Sequence, residues 1–201
     1  MSKKTSLLVT SAVIAALGLT GCAEKVSYGD AQAVETVNVN FGSTDLQKIA
    51  NNMTDSLLAS GFTQKLSAQG KTPVIYVEGI KNKTSEHIDT ESITNSISTK
   101  LLQSGKFQFV DMTRVNAVRK QLNYQNQSGM VDPDKAVRFG HQVGAQYMLY
   151  GNLSSIVKSN SSTKDVYYKM TMRLMDLKTG LLVWADETQI RKDAKRSLFG
   201  W

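Results

Sequence analysis

The sequence predicts an α/β domain built on one mixed sheet, and three observations predict it. Residues 73–110 read as strand, helix, strand; residues 147–190 read as three strands joined by short turns; and helical stripes fill most of what lies around them. A strand, helix, strand unit closes as a parallel pair with a right-handed crossover, whereas strands joined by tight turns pair antiparallel. The predicted architecture is a single small domain: a β-α-β unit, then helices, then an antiparallel C-terminal meander, with helices packed on both faces of the sheet. A chain of 201 residues suits one such domain with appendages, and 41% hydrophobic against 20% charged residues is enough to build its core.

Taken in order, Val37, Val39 and Phe41 alternate with Asn38 and Asn40 as a short extended approach to the first helix. Ser43 or Thr44 can cap that helix. Its Leu46, Ile49, Ala50, Met53, Leu57 and Leu58 recur at three- and four-residue steps, and Gly61 is a natural stop. From Pro73 to Ile80 both alternating sets of side chains are largely apolar, which places this strand inside the sheet, where both faces are covered. The polar run from Lys81 to His87 reads as a loop at its carboxyl end. Asp89 is then an N-cap, with Ile88 and Ile93 spaced as a hydrophobic staple. The helix it starts buries Ile93, Ile97, Leu101 and Leu102 and stops at Gly105, and Phe107, Phe109 and Val110 make the next strand.

Met112, Val115, Val118 and Leu122 form a third helical stripe with Arg114, Arg119 and Lys120 turned away from it, and the polar stretch from Asn123 to Met130 interrupts it. Asp132 caps a short helix with Pro133 at its first position, packed through Val137, Phe139 and Val143 and ended by Gly144. Strands follow over Tyr147 to Val157, Val166 to Asp176 and Leu181 to Ile190, with a tight turn from Asp176 to Gly180. On the middle strand Val166, Tyr168, Met170, Met172 and Leu174 alternate with Tyr167, Lys169, Thr171 and Arg173, the pattern of one buried face.

The amino end sets the expected compartment. Lys3 and Lys4 precede an apolar run from Leu7 to Leu19, and Leu19-Thr20-Gly21-Cys22 closes it. At about 13 residues that run is shorter than the ~20 a helix needs to cross a bilayer, so it targets rather than spans. Leu-Thr-Gly-Cys resembles the bacterial lipobox, which implies cleavage before Cys22 and acylation of its sulfur and amine. Multiple acyl chains anchor firmly, at ~0.8 kcal/mol per buried CH2. The expected organisation is a leader over 1–21, a lipidated N-terminus and short tether over 22–36, and a periplasmic globular domain over 37–201. Ala23 stands where enterobacterial lipoproteins kept at the inner membrane carry Asp, which implies the periplasmic leaflet of the outer membrane. Cys22 is the one cysteine, so no intrachain disulfide forms.

Few residues offer chemistry. His87 and His141 are the two histidines and have no second cysteine to join them, short of the three or four ligands of an ordinary zinc site. His87, beside Glu86 and Asp89, is the one candidate general base, and a cell-wall hydrolase would have to use it. There is no Gly-x-Ser-x-Gly elbow and no Walker signature. Met170, Met172 and Met175 read as strand packing, and Trp184 as a core or rim anchor. The formal charge of +7 falls to +5 when Lys3 and Lys4 leave with the leader, and the cations do not cluster as nucleic acid would require. What remains is binding surface: the loop residues Lys81, Asn82, Lys83, Thr84, Glu86 and His87, and the helix residues Arg114, Arg119 and Lys120.

Several segments carry a family resemblance: Phe41-Gly42-Ser43-Thr44-Asp45-Leu46, the run Gly79 to Thr90, Ser104-Gly105-Lys106-Phe107, Val143-Gly144-Ala145-Gln146-Tyr147, and Thr179-Gly180 to Trp184. Together they resemble the LpoB-type lipoproteins, and the Asn-x-Thr, Gly-Lys-Phe and Gly-Ala-x-Tyr signals recur in the related curli-secretion and TolB N-terminal families. The resemblance implies a TolB N-terminal-like fold and a non-enzymatic, monomeric activator that needs no cofactor. Its partner would be the periplasmic domain of a bifunctional peptidoglycan synthase, a class A penicillin-binding protein. Better-known relatives carry a long proline-rich tether, whereas the tether here has no proline. The alternative is a curli-secretion-like assembly or envelope-structural lipoprotein.

Overall fold

The computed structural model describes residues 27–132, 134–135 and 144–195. The leader, Cys22, His141 and most of the short helix expected after Asp132 lie outside the described residues. Two compact units divide the chain at Ala33 and Val34. In the first, the described residues form a turn in which Asp30 accepts from the amides of Gln32 and Ala33.

In the second unit helix α1 spans Ser43–Ala59 and α2 spans Gly61–Ala68. Strand β1 is Val74–Lys83, α3 is Thr90–Gln103, β2 is Gln108–Val110 and α4 is Val115–Gln127. Strands β3, Tyr147–Ser159, β4, Thr163–Asp176, and β5, Leu182–Lys195, complete it. The five strands form one mixed sheet in the order β2-β1-β3-β4-β5. β1 pairs in parallel with both β2 and β3, and the meander β3-β4-β5 is antiparallel. The mixed α/β architecture is the expected one, and β1 lies inside the sheet.

Register sorts the side chains. Ile75, Leu149, Leu153, Met170, Tyr168, Leu174 and Trp184 share one face and are buried there. Helix α1 lies against β5, α3 lies against β1, and the two helices pack on each other over this face. They contribute Ile49, Met53 and Leu57, and Ile93, Ile97 and Leu101. Asn52 donates to Thr188 Oγ1 at 3.0 Å, and Ser56 donates to the Asp186 carboxylate, tying α1 to the sheet. Gly151 sits where a Cβ would stand 2.5 Å from the Thr171 carbonyl oxygen, so glycine lets β3 and β4 close under Met172.

Five local expectations are corrected. Gly61 does not end the helical region: Ser60 breaks it with extended backbone, then caps α2 by accepting from the Thr63 amide, and Phe62 of α2 meets Tyr147 edge-on at 5.0 Å. The cap of α1 is Gly42, whose amide donates to Asp45, while Ser43 and Thr44 are its first residues. Leu102 points outward at 54% exposure, because α3 turns only Ile93, Ile97 and Leu101 toward the sheet. Helices on both faces are also not found among the described residues: α1 and α3 share one face, and the described side chains of α4, which continues through the polar stretch to Gln127, are exposed or half-buried. The caps at Asp89, which accepts from the Ser92 amide at 3.0 Å, and at Gly105, with φ +69°, stand as expected.

Candidate functional site

The run from Lys81 to His87 is not one loop. β1 continues through Lys81, Asn82 and Lys83, held by parallel pairing with β3 as far as Lys83 opposite Ser154. Alternation then divides the residues: Asn82 turns toward the helix-covered side, and Lys81 and Lys83 turn to the opposite side.

Asn82 organises the turn that follows. Its Oδ1 accepts from the Thr84 amide at 2.9 Å and from the Thr84 hydroxyl at 2.8 Å, and its Nδ2 donates to the Glu86 carbonyl at 2.9 Å. The Glu86 amide donates back to Thr84 Oγ1 at 3.1 Å. Glu86 itself points inward, where one carboxylate oxygen accepts from the Phe41 amide at 2.9 Å and the other from the buried hydroxyl of Tyr168. Phe41 stands edge-on to the Tyr168 ring at 5.5 Å. Burial first, and then the hydrogen bond and charge of Glu86, push the Tyr168 phenol well above its ordinary value. Asn82, Thr84 and Glu86 are thus occupied in holding the segment before α1, while His87 is exposed.

That segment is pinned along its length. Glu35 accepts from the Ser43 amide and hydroxyl, at 2.8 and 3.1 Å, and its own amide donates to Thr44 Oγ1. Lys192 of β5 donates to the Asn40 carbonyl at 2.6 Å and to the buried Asp45 carboxylate at 2.8 Å.

On the uncovered face of the sheet, Lys81 and Lys83 meet residues that the reading by segments left out. Arg173 lies opposite Tyr150, and Thr171 opposite Asn152, which is itself beside Lys81. Glu78, Lys81, Lys83, Tyr150, Asn152 and Arg173 line a hollow of about 200 Å³. Further along this face Lys169 pairs with Glu187 at 3.3 Å and Arg191 with Asp165 at 3.5 Å, and the Arg191 guanidinium sits 5.8 Å from the centre of the Tyr167 ring. The polar set on β4 was visible as alternation; the signal that joins Arg173 to Lys81 is the register across three strands.

Arg114, Arg119 and Lys120 are all exposed at the start of α4 and along it. At about 100° per residue they lie more than 90° apart from one another around the helix, so they do not form a single face. Arg114 has a neighbour in Asp111, whose carboxyl is held below the usual range chiefly by the hydroxyl and amide of Thr113, with Arg114 adding to the effect. No group of three metal-ligating side chains assembles among the described residues, and no described helix is long and apolar enough to cross a membrane.

A family model described as "Peptidoglycan-synthase activator LpoB" matches residues 45–190. The chain belongs to this family. Members similar to it include the penicillin-binding protein activator LpoB of Dickeya dadantii (strain 3937), 29% identical over 132 residues, 66% of this chain and 63% of that protein. That of Escherichia coli (strain K12) is 28% identical over 125 residues, 61% of this chain and 55% of that protein. The chain therefore spans about three fifths of the length of the curated relatives it matches. Among solved structures, the LpoB C-terminal domain from Salmonella enterica aligns over 73% of this chain and 98% of that one, at 22% identity and a TM-score of 0.43. The family model and the curated relatives favour the LpoB family over the curli-secretion-like alternative.

Proposed function

We propose that this LpoB-family chain is a non-enzymatic activator of peptidoglycan synthesis that binds the periplasmic domain of a class A penicillin-binding protein. The match of the family to Asp45 through Ile190 carries the reading, because it spans the sheet and its covering helices from α1 to β5. Activation by binding needs a preference for the active conformation of the synthase and no reacting group of its own. In the same proposal Cys22 is acylated and holds the protein at the periplasmic leaflet of the outer membrane, and the activator works as a monomer without a cofactor. The 12 residues 23–34 separate Cys22 from Glu35, which is pinned to Ser43, and that length of chain spans at most ~40 Å. The partner then has to extend toward the outer membrane.

The test is glycan-chain polymerisation by a purified class A synthase with and without the full lipoprotein in detergent, paired with co-purification of the two. A faster rate with a saturable dependence on the lipoprotein is expected. An unchanged rate with no co-purification overturns the reading.

A further inference from the structure

The candidate residues separate into a structural set and a surface set, and the surface set is completed by residues from two other strands. Lys81 and Lys83 stand two residues apart on one side of β1, at a spacing of ~7 Å, and Arg173 lies two strands away, at ~10 Å. Between them are the Tyr150 ring and the Asn152 amide. The bulge at Gly79, with φ +104°, leaves no side chain beside Tyr150, and this opens the hollow of about 200 Å³.

Charge on this face is unevenly balanced. Glu187 and Asp165 are taken by Lys169 and Arg191. Among the described residues no carboxylate comes within ion-pairing distance of Lys81, Lys83 or Arg173, and Glu78 is the one acidic group lining the hollow. Three cations on neighbouring strands of a rigid sheet repel one another unless an anion is shared among them. Nor does their position contribute to the core, since α1 and α3 lie on the other side.

We infer that the hollow ringed by Lys81, Lys83, Tyr150, Asn152 and Arg173 is the docking site for an acidic polypeptide segment of the partner. One carboxylate seats against the Arg173 guanidinium, which matches it in a two-pronged geometry, and the Asn152 amide and Tyr150 hydroxyl beside it offer further donors to the segment. A further carboxylate ~7 Å away, on the next-but-one residue of an extended strand, meets the two lysines. Charges held at fixed spacing on strands favour one particular protein surface over a fluid array of lipid headgroups. The inference rests on the activator reading only for the identity of the chain that carries the carboxylates.

The experiment measures binding of the full lipoprotein in detergent to the periplasmic part of a class A synthase and, separately, to a fluorescent peptide of alternating Glu and Ser. The variant Lys81→Glu/Lys83→Glu/Arg173→Glu is compared with Lys65→Glu/Lys71→Glu/Lys106→Glu, which changes net charge equally at exposed positions elsewhere. The first variant is expected to bind both ligands at least tenfold more weakly, with an unchanged melting temperature, and the second to bind within twofold of the parent. Equal binding by the first variant, or an equal loss in the second, overturns the site. If the parent lipoprotein binds no synthase, the activator reading fails and the peptide alone decides the surface. Anionic phosphatidylglycerol vesicles captured more tightly than the peptide, with the same dependence on the three residues, overturn the polypeptide assignment.

Discussion

The two faces of the sheet put the same strands to opposite uses. On the covered face polar groups are few, and each that the structure ties down holds one segment to another: Glu86 joins the β1 turn to Phe41 and Tyr168, and Lys192 joins β5 to Asp45 and Asn40. On the uncovered face the polar groups run in cross-strand rows, and the cations nearest β1 lack counter-ions among the described residues. A buried ion pair is held by geometry and is costly to break, whereas exposed charges contribute little to stability and are available to a partner. The difference separates residues that make the fold from residues that the fold presents.

The comparison breaks most sharply within one strand. Leu153 is fully buried on the covered face and Ile156 is 60% exposed on the other. Leu153→Ala is expected to cost about 2–5 kcal/mol in urea denaturation, and Ile156→Ala to stay within about 0.5 kcal/mol; similar losses at both positions would mean that the second face is covered too. Next in size, Lys192→Met leaves the Asp45 carboxylate buried with the Gly42 amide as its one remaining partner among the described residues, at a cost of about 3 kcal/mol. A double variant with Asp45→Asn that recovers part of the loss would confirm that the pair, and not the lysine stem, is responsible.

The smallest effect concerns the Tyr168 phenol. Its pKa is raised in the folded protein, so its contribution is whole below the unfolded value near 10 and is lost as the pH climbs above that value toward the folded one. Glu86→Gln keeps an acceptor for the Phe41 amide and removes the charge. Tyrosinate absorbance is expected to show one phenol ionising earlier in the variant than in the parent, with a stability loss of about 1 kcal/mol at neutral pH. If Tyr168 ionises alongside the exposed tyrosines in the parent, the inward position of Glu86 is wrong.

Legibility followed the range of the interaction. Asp89 and Gly105 bound α3 as their residue types require, since a cap is settled by its own first or last turn. The alternation of β4 likewise foretold its buried set. Gly61 misled because the same residue serves at either end of a helix, and the choice was made by Ser60 as a cap and by Phe62 finding Tyr147, 85 residues further on. The polar run after Ile80 misled because composition does not show that β3 is long enough to keep pairing to Lys83. For the candidate site, Lys81 and Lys83 read as loop residues but lie on β1, and Arg173 read only as the polar side of a strand until register placed it on the same face.

Periodicity and capping are carried by a residue and its near neighbours, so fold class, the internal position of β1, the start and stop of α3 and the buried row of β4 could all be read from the linear chain. Which side of the sheet the helices occupy, that Glu86 turns inward while Lys81 and Lys83 turn out, and that Arg173 joins them were settled by strand register and packing. Those depend on residues from 23 positions apart, as Tyr150 and Arg173, to 136 apart, as Asn52 and Thr188, and a side-chain period of two lets a single step of register exchange the inner and outer sets.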